Sequence, residues 1–360
     1  MRGFKGALAL ALALGLTAPA ALHATPAAHA AAPISLPNPG NPSQQWPCAY
    51  TSSFTGPPPG FNPVNGTEDQ LACWGFPHRP TDSRSLAAWT MAMQHAKHWI
   101  APRFGAPVPA LSTHPLMRTA IFQPMGSVLN EDESSNWAGY VARQSDNTIS
   151  GKQWGEMTSL WTVPSVSLDN SGKAVYAWLG LGGYYSPDII QAGTASFNNG
   201  TTQFWYENFP DGYIPFTAVP VGPGDQVYVD IFDRGPNQPS ASRVYLFYED
   251  STSGQYSPVY AYDNHPDQTG SCCAEAILEE PYSYQNGTYN PNGYTSYSGM
   301  NFTSPDATQW DYPNVTSGTT QPLSGWNTIY IRMDKTDGTP IADPSTFSSS
   351  GDFSVPYIGP

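Results

Sequence analysis

The chain has 360 residues, a formal net charge of −14 at pH 7 and a charged fraction of only 12%. This acidic balance argues against nucleic acid as a partner, because phosphate backbones are bound by basic surfaces and the sequence has no basic stripe. The 33 glycines, 37 prolines and 21 tyrosines are typical of an all-β chain with many turns.

Residues 1–30 have the pattern of a secretory signal peptide. Arg2 and Lys5 precede an apolar run that is too short to span a membrane, and the Ala-His-Ala at residues 28–30 is a candidate cleavage site. The sequence therefore predicts a secreted, extracellular and soluble protein that does not have a membrane as a partner. We also expect a monomer.

Residues 31–130 are predicted to be a propeptide-like segment. They are rich in proline and contain one run with apolar residues at helical spacing, near residues 83–100, which ends before Pro102. Bases outnumber acids in this segment, whereas acids dominate the rest of the chain. Opposite charges would hold the two parts together near pH 7, and protonation of the carboxylates would weaken this attraction in acid. We therefore interpret the segment as an inhibitory propeptide that acid releases; a small helix that stays packed on the main domain is the alternative.

Residues 131–360 are predicted to form a two-sheet antiparallel β-sandwich of the jelly-roll or concanavalin A-like kind, which would be the catalytic domain. Runs of strand character follow one another with turn formers between them, and no long helical pattern competes. The predicted strands include residues 134–143, 152–164, 174–182, 188–193, 201–209, 225–234, 242–250, 256–263, 274–281, 298–303, 327–334 and 352–358. A bent sandwich of this kind offers a concave face suited to an extended ligand.

The four cysteines are compatible with disulfides in an exported chain. Cys48 and Cys73 lie in the same region and are plausible partners. A ring between the adjacent Cys272 and Cys273 would be strained, so the sequence leaves their pairing open. The histidines and cysteines lack the spacing of a metal site, and no cofactor is predicted.

Alternation along the strand-like runs predicts a polar and aromatic patch on one face of a sheet. Trp178, Gln191 and the alternating set Trp205, Glu207 and Phe209 would point the same way in extended runs.

A later run, AEAILEEP, has a second set of acidic side chains on one strand face. If that face is the concave one, Glu275 could meet Gln191 and Glu207 there. Glu279 and Glu280 are expected to form a solvated end of the strand.

Gln191 and Glu275 suggest a chemistry that needs neither a nucleophilic side chain nor a metal. A carboxylate can take a proton from water, and a neutral amide can hold that water and donate a hydrogen bond to the developing oxyanion. A serine triad is not expected, because no GxSxG surrounds a serine.

Five motifs in order resemble the glutamic peptidase family, also called eqolisins. They are SSNWAGYV, AWLGLGG, IIQAG, FWYENFPD and AEAILEEP, and they lie between Ser134 and Pro281. Each motif alone is weak, but five in matching order are strong. The resemblance implies a secreted acid endopeptidase on a β-sandwich, made with a prosegment that inhibits it and acting on protein or peptide substrates.

The resemblance also implies the site residues. Gln191 and Glu275 match the catalytic dyad, with Glu275 as general base and then proton donor and Gln191 as the group that stabilises the oxyanion. The residues that match cleft-lining, substrate-binding positions are Trp137, Gly139, Trp178, Glu207 and Phe209. Gly182, Asn208 and Ala276 depart from the fungal pattern, which implies a divergent, bacterial-type member.

Two other functions fit parts of the pattern. A jelly-roll glycoside hydrolase would use Glu207 and Glu275 as its carboxylate pair. A noncatalytic sugar-binding module would use the Trp and Tyr side chains as its binding surface.

Overall fold

The structure is a computed structural model, and it describes fourteen stretches of the chain. These are residues 34–35, 56–107, 130–143, 151–184, 186, 188–209, 211–235, 243–261, 272–285, 288–291, 294–311, 315, 317–335 and 337–359. All of them belong to the unit Ala31–Pro360. The predicted signal peptide and Cys48 lie outside the described residues.

The described residues form mainly strands, with two α-helices near the N-terminal end. The helices are α1 (Glu68–Trp74) and α2 (Ser83–His95), and the 3-10 turns are Pro63–Asn65 and Leu323–Gly325. The first ten strands are β1 (Ile34–Ser35), β2 (His98–Trp99), β3 (Asn130–Ser134), β4 (Trp137–Arg143), β5 (Lys152–Thr162), β6 (Ala174–Gly182), β7 (Ile189–Phe197), β8 (Thr202–Phe209), β9 (Tyr213–Phe216) and β10 (Gln226–Asp233). The remaining strands are β11 (Val244–Asp250), β12 (Gln255–Ala261), β13 (Cys273–Glu279), β14 (Tyr282–Gln285), β15 (Thr288–Pro291), β16 (Met300–Asp311), β17 (Ser317–Pro322), β18 (Thr328–Asp334), β19 (Pro340–Ala342) and β20 (Phe353–Val355).

Most of these strands belong to two large sheets, and the predicted β-sandwich is confirmed. The back sheet has the order β1-β17-β16-β5-β10-β11-β12-β2, with β20 beside β16. The front sheet has the order β19-β18-β4-β13-β6-β7-β8-β9, with β3 beside β18. The pairing is antiparallel except for β2 with β12 and β3 with β18, so the sheets are mixed, not purely antiparallel.

Alternating side chains cover both faces of the central strands. In β10, Val229 and Ile231 point into the core between the two sheets, whereas Tyr228 and Phe232 point to the outer face of the back sheet. All four side chains are buried. Each contributes about 1.5–3 kcal/mol when fully buried, so the outer layer adds to stability as the inner core does.

The outer face of the front sheet carries the third apolar layer. Trp137, Trp178, Trp205 and Ile277 pack together there, on the side opposite the core between the sheets. The polar patch predicted from the sequence lies among these side chains.

The N-terminal helices differ in part from the prediction of a single helix near residues 83–100. The helix α2 is present but ends at His95, and the last part of the predicted run forms β2. The helix α1 was not predicted. Its signals are local: a capping box between Thr67 and Gln70 at its start and a left-handed Gly75 at its end.

Candidate active site

Three polar side chains lie in one cross-strand row of the front sheet. Glu275 of β13 pairs with Gly180 of β6, Gly180 pairs with Gln191 of β7, and Gln191 pairs with Glu207 of β8. Residues paired directly across strands share a face, so the three side chains project to the same side. The predicted meeting of Glu275 with Gln191 and Glu207 on one face is therefore present.

Gly180 leaves a gap between Glu275 and Gln191. The backbones of β13 and β7 are two strand spacings apart, about 9.5 Å. A Cβ at Gly180 would lie 2.8 Å from the ring of Trp178 and 2.9 Å from Cδ1 of Ile189, so the site has no room for a larger residue. In this chain the side chains of Trp178 and Ile189 lie over Gly180, between the carboxyl and the amide.

Gln191 is held by its neighbour on β8. Its Nε2 donates a hydrogen bond to Oε2 of Glu207 at 2.9 Å. Oε1 of Gln191 has no hydrogen-bond partner in the described part of the chain. Burial raises the pKa of Glu207 to about 8, with the nearby Glu279 adding to the effect and the hydrogen bond from Gln191 opposing it. Glu207 is therefore a neutral carboxyl in acid.

Glu275 is held from the opposite side of the gap. Its Oε1 accepts a hydrogen bond from the backbone N–H of Tyr184 at 3.0 Å. Its Oε2 has no partner among the described residues. Burial raises the pKa of Glu275 well above the usual range of a carboxyl, and the charge of Glu279 acts in the same direction.

This face of the front sheet is covered. Gln191 and Glu275 each have an exposed fraction of 0%, although both point away from the core between the sheets. The row is therefore closed to solvent.

Glu279 and Glu280 correct the sequence interpretation, because neither is solvated. Glu279 accepts hydrogen bonds from Nε1 of Trp178 at 3.0 Å and from Nδ2 of Asn136 at 3.2 Å, and Glu280 accepts from the N–H of Thr295 at 2.8 Å. Burial raises the pKa of Glu279 to about 8. The strand β13 lies between β4 and β6, so both neighbouring strands cover its end. The i, i+2, i+4 spacing of Glu275, Ile277 and Glu279 indicates their shared face but not their burial.

The predicted cleft-lining residues all lie on this same face of the front sheet. The rings of Trp137 and Trp178 meet edge to face, with centroids 4.9 Å apart. Gly139 pairs with Ile277, and a Cβ at Gly139 would lie 2.2 Å from the carbonyl oxygen of Ala276. Phe209 packs at the margin of the same apolar layer.

A disulfide lies beside the loop that contacts Glu275. Cys272 and Cys273 form a disulfide-like pair with each other, the pairing that the sequence left open. Sγ of Cys272 lies 3.8 Å from Oγ of Ser186. That hydroxyl accepts from the N–H of Gly183 at 2.9 Å and donates to the carbonyl of Asp188 at 2.7 Å, so it closes the loop that presents Tyr184 to Glu275.

Among the described residues, no group of His, Cys, Asp and Glu side chains has the geometry to hold a metal ion. No described helix is both long and apolar enough to cross a membrane. Cys73 is also part of a disulfide.

The chain is similar to several known proteins. The Peptidase A4 family profile matches residues 135–357. Aspergillopepsin-2 of Aspergillus niger is 27% identical over 210 residues, which cover 51% of this chain and 68% of that protein. Scytalidopepsin B of Scytalidium lignicola is 27% identical over 150 residues, which cover 41% of this chain and 52% of that protein, so the chain spans about half of its length.

The chain is also similar to two solved structures. Scytalido-glutamic peptidase with a transition state analog inhibitor is 21% identical with a TM-score of 0.48, and the match covers 62% of this chain and 98% of that one. A member of the eqolisin family in complex with the tripeptide Ala-Ile-His is 20% identical with a TM-score of 0.47, at the same coverage of 62% and 98%.

Proposed function

The chain belongs to the peptidase A4 family of glutamic endopeptidases, the eqolisins, and on that premise we propose that it is a secreted acid endopeptidase in which Gln191 and Glu275 activate a water against a peptide bond. The observation that carries the proposal is the row in which Gly180 separates the Gln191 amide from the Glu275 carboxyl. A scissile peptide bond and one water would lie between these two groups once the side chains of Trp178 and Ile189, which cover Gly180 in this chain, have moved aside.

Glu275 is the proposed general base and acid. Its Oε2 takes a proton from the water while the water oxygen bonds to the carbonyl carbon of the substrate, and the same proton then passes to the leaving amine nitrogen as the C–N bond breaks. Oε1 is engaged by the N–H of Tyr184, which leaves Oε2 for this work. General acid–base catalysis of this kind contributes roughly 10²- to 10⁴-fold to the rate.

Gln191 is the proposed oxyanion stabiliser. One N–H of Nε2 is engaged by Glu207, so the other is available to the oxyanion, and Oε1 is available to accept a hydrogen bond from the water. Removing one such donor typically lowers kcat by about 10²- to 10³-fold. Trp137, Gly139, Trp178 and Phe209 would bind the substrate on either side of the gap.

We also propose that the chain is an inactive precursor. Its support is the burial of Gln191 and Glu275, which keeps a protein substrate from the row. Burial also favours the protonated form of Glu275, whereas a base must be ionised. Loss of the cover would let water reach the carboxyl and lower its pKa toward the acidic range in which the mature enzyme would work. The signal-like residues 1–30 support export.

The glycoside hydrolase alternative has less support. Glu207 and Glu275 are separated by three strand spacings, about 14 Å between backbones, with Gln191 between them. Paired catalytic carboxyl groups of glycosidases lie about 5–9.5 Å apart. The hydrogen bond from Gln191 to Glu207 instead makes Glu207 a support for the amide.

One panel of assays tests the proposal. The secreted product is given denatured haemoglobin and a set of β-glucans at pH 3–4, with and without a metal chelator. We expect haemoglobin cleavage that the chelator leaves unchanged, and no cleavage of glucans. Gln191→Ala and Glu275→Gln should each abolish cleavage while leaving the circular dichroism spectrum unchanged. Substantial proteolysis by folded Gln191→Ala protein would refute the assignment of the dyad.

A further inference from the structure

The segment of residues 56–105, here called the helical segment, lies within the predicted propeptide but packs away from the candidate site. Leu71 of α1 and Trp89 and Met93 of α2 are buried against the outer face of the back sheet. The candidate site is on the outer face of the other sheet. The helical segment therefore does not cover Gln191 and Glu275.

Polar contacts also anchor the connection between the two helices. The hydroxyl of Tyr245 on β11 donates to the carbonyl of Gly75 at 3.0 Å, and His78 contacts Oε1 of Glu156 on β5 at 3.1 Å. Both contacts are buried. Each such hydrogen bond contributes roughly 0.5–1.5 kcal/mol net to keeping the segment in place, because water replaces it when the segment leaves.

After the helices, the helical segment runs along the open edges of both sheets. The N–H of Ile100 donates to the carbonyl of Tyr256 on β12 at 2.9 Å, next to the parallel pairing of β2 with β12. Farther on, the N–H of Gly105 donates to the carbonyl of Pro215 on β9 at 2.8 Å. Since β12 and β9 would otherwise end their sheets with unpaired backbone groups, the segment completes one side of the sandwich.

We propose that the helical segment is a permanent layer of the folded enzyme that stays bound to the back sheet in acid, and is not the part of the precursor that acid releases. This inference does not depend on the peptidase assignment. It follows from two observations. The segment is buried against the outer face of the back sheet, and it pairs with the edge strands β12 and β9.

Titration of the covered groups supports retention in acid. Beneath the helices lie Glu156, Asp230 and Asp306, and burial raises the pKa of each well above the usual range. The other titratable or charged groups that face them are His78, Asp82, Arg84, Tyr228, Tyr245 and Asp352. A raised carboxyl pKa gives stability that is complete below the pKa of the unfolded chain and is lost as pH rises.

His78 acts in the opposite direction. Burial lowers its pKa to about 4, so its contribution is lost as pH falls from about 6.5 toward 4. Three carboxyl groups favour attachment in acid, and only one imidazole opposes it. The attachment should therefore be firmer at pH 4.5 than at pH 8, the reverse of what opposite surface charges predict.

The test uses the full chain with Glu275→Gln to prevent self-cleavage and with a site for a sequence-specific protease inserted after Pro107. The chain is cut at pH 7 and passed over a gel filtration column at pH 4.5, and the eluted species are identified by intact mass. We expect the fragment that carries residues 56–105 to elute with the sandwich. Elution of that fragment alone at pH 4.5, with retention at pH 7, would overturn the proposal and support release by charge.

A matched pair on α2 tests the interface itself. Trp89 is buried, whereas Met91 on the same helix is 42% exposed. After the cut, Trp89→Ala should weaken retention of the fragment at least tenfold, and Met91→Ala should leave it unchanged. Equal retention by both would contradict the proposed interface. If the Trp89→Ala chain does not fold, Tyr245→Phe replaces it, since this variant removes only the hydrogen bond to Gly75 and should weaken retention measurably.

Discussion

Gln191 donates a side-chain N–H to Oε2 of Glu207 across one strand spacing, at 2.9 Å, and this contact fixes the direction of the Gln191 amide. Both groups are buried, so the amide has few other positions available. Glu207 thus acts on the proposed reaction through Gln191 and does not need to touch the substrate.

Replacing Glu207 tests this positioning role. Glu207→Gln keeps an oxygen that can accept the hydrogen bond and should retain most of the activity on haemoglobin. Glu207→Ala frees the amide and should lower kcat by about 10- to 100-fold, which corresponds to the 1–3 kcal/mol of one buried hydrogen bond. Steady-state kinetics at pH 4 decide between the two effects. A similar loss in both variants would indicate that the carboxyl itself, and not its hydrogen bond, is needed.

Gly180 is the second residue whose replacement is diagnostic. Gly180→Ala places a methyl group 2.8 Å from the Trp178 ring, between the amide and the carboxyl. We expect loss of most peptidase activity and a stability decrease of about 1–3 kcal/mol from overpacking. The control is Gly222→Ala, where the new Cβ meets its nearest neighbour at 3.5 Å and should change neither quantity. Activity assays and thermal unfolding measure the peptidase activity and the stability of both variants. Full activity of Gly180→Ala would show that the substrate does not lie over Gly180.

The sequence could predict the site face because period-2 alternation and strand order are local properties. Gln191 and Glu207 share a face once both runs are extended, and the confirmed family resemblance aligned Glu275 with them. What the sequence could not provide was the depth of burial. Glu279 lies at a strand end, which usually favours solvent, but two neighbouring strands and their Trp side chains cover it.

For the helical segment the sequence left two alternatives, a propeptide that acid releases and a small helix that stays packed on the main domain. Charge separated the basic N-terminal part from the acidic rest, and this led to a prediction about attraction between surfaces. The buried face of α2 packs mainly on aromatic side chains, because the sheet that receives it has Tyr228 and Phe247 on its outer face. Aromatic residues on an outer strand face resemble a binding surface in sequence, and only the three-dimensional packing shows what they contact.

Several buried carboxyl groups should make the folded chain more stable in mild acid than in base. Burial raises the pKa of Glu207, Glu249 and Glu279 to about 8 in each case. Their stabilising effect is complete below the unfolded pKa of about 4.3 and is lost as pH rises through 8. Thermal unfolding of the Glu275→Gln chain should therefore show a Tm lower at pH 8.5 than at pH 5. A loss of a few kcal/mol corresponds to roughly 5–10 °C in a chain of this size.

A single substitution checks the origin of that pH dependence. Glu279→Gln keeps an oxygen that accepts from Trp178 and removes one titrating group, so it should reduce the difference in Tm between pH 5 and pH 8.5. Leu168, which is 70% exposed, provides the control, because Leu168→Ala should leave the difference unchanged. A Tm that rises from pH 5 to pH 8.5 would contradict the assigned pKa directions.

The Cys272–Cys273 disulfide should affect activity more than stability. A bridge between neighbours closes almost no chain, so it adds little to the free energy of unfolding through chain entropy. It does place Sγ of Cys272 next to Ser186, whose hydroxyl closes the loop that brings the Tyr184 N–H to Glu275. Cys272→Ser with Cys273→Ser should therefore lower kcat on haemoglobin at least several-fold while changing Tm by only a few degrees. Because this loop holds Oε1 of Glu275, the double variant should also shift the acidic limb of the pH–rate profile. An unchanged profile together with an unchanged kcat would show that the disulfide does not help to position the carboxyl.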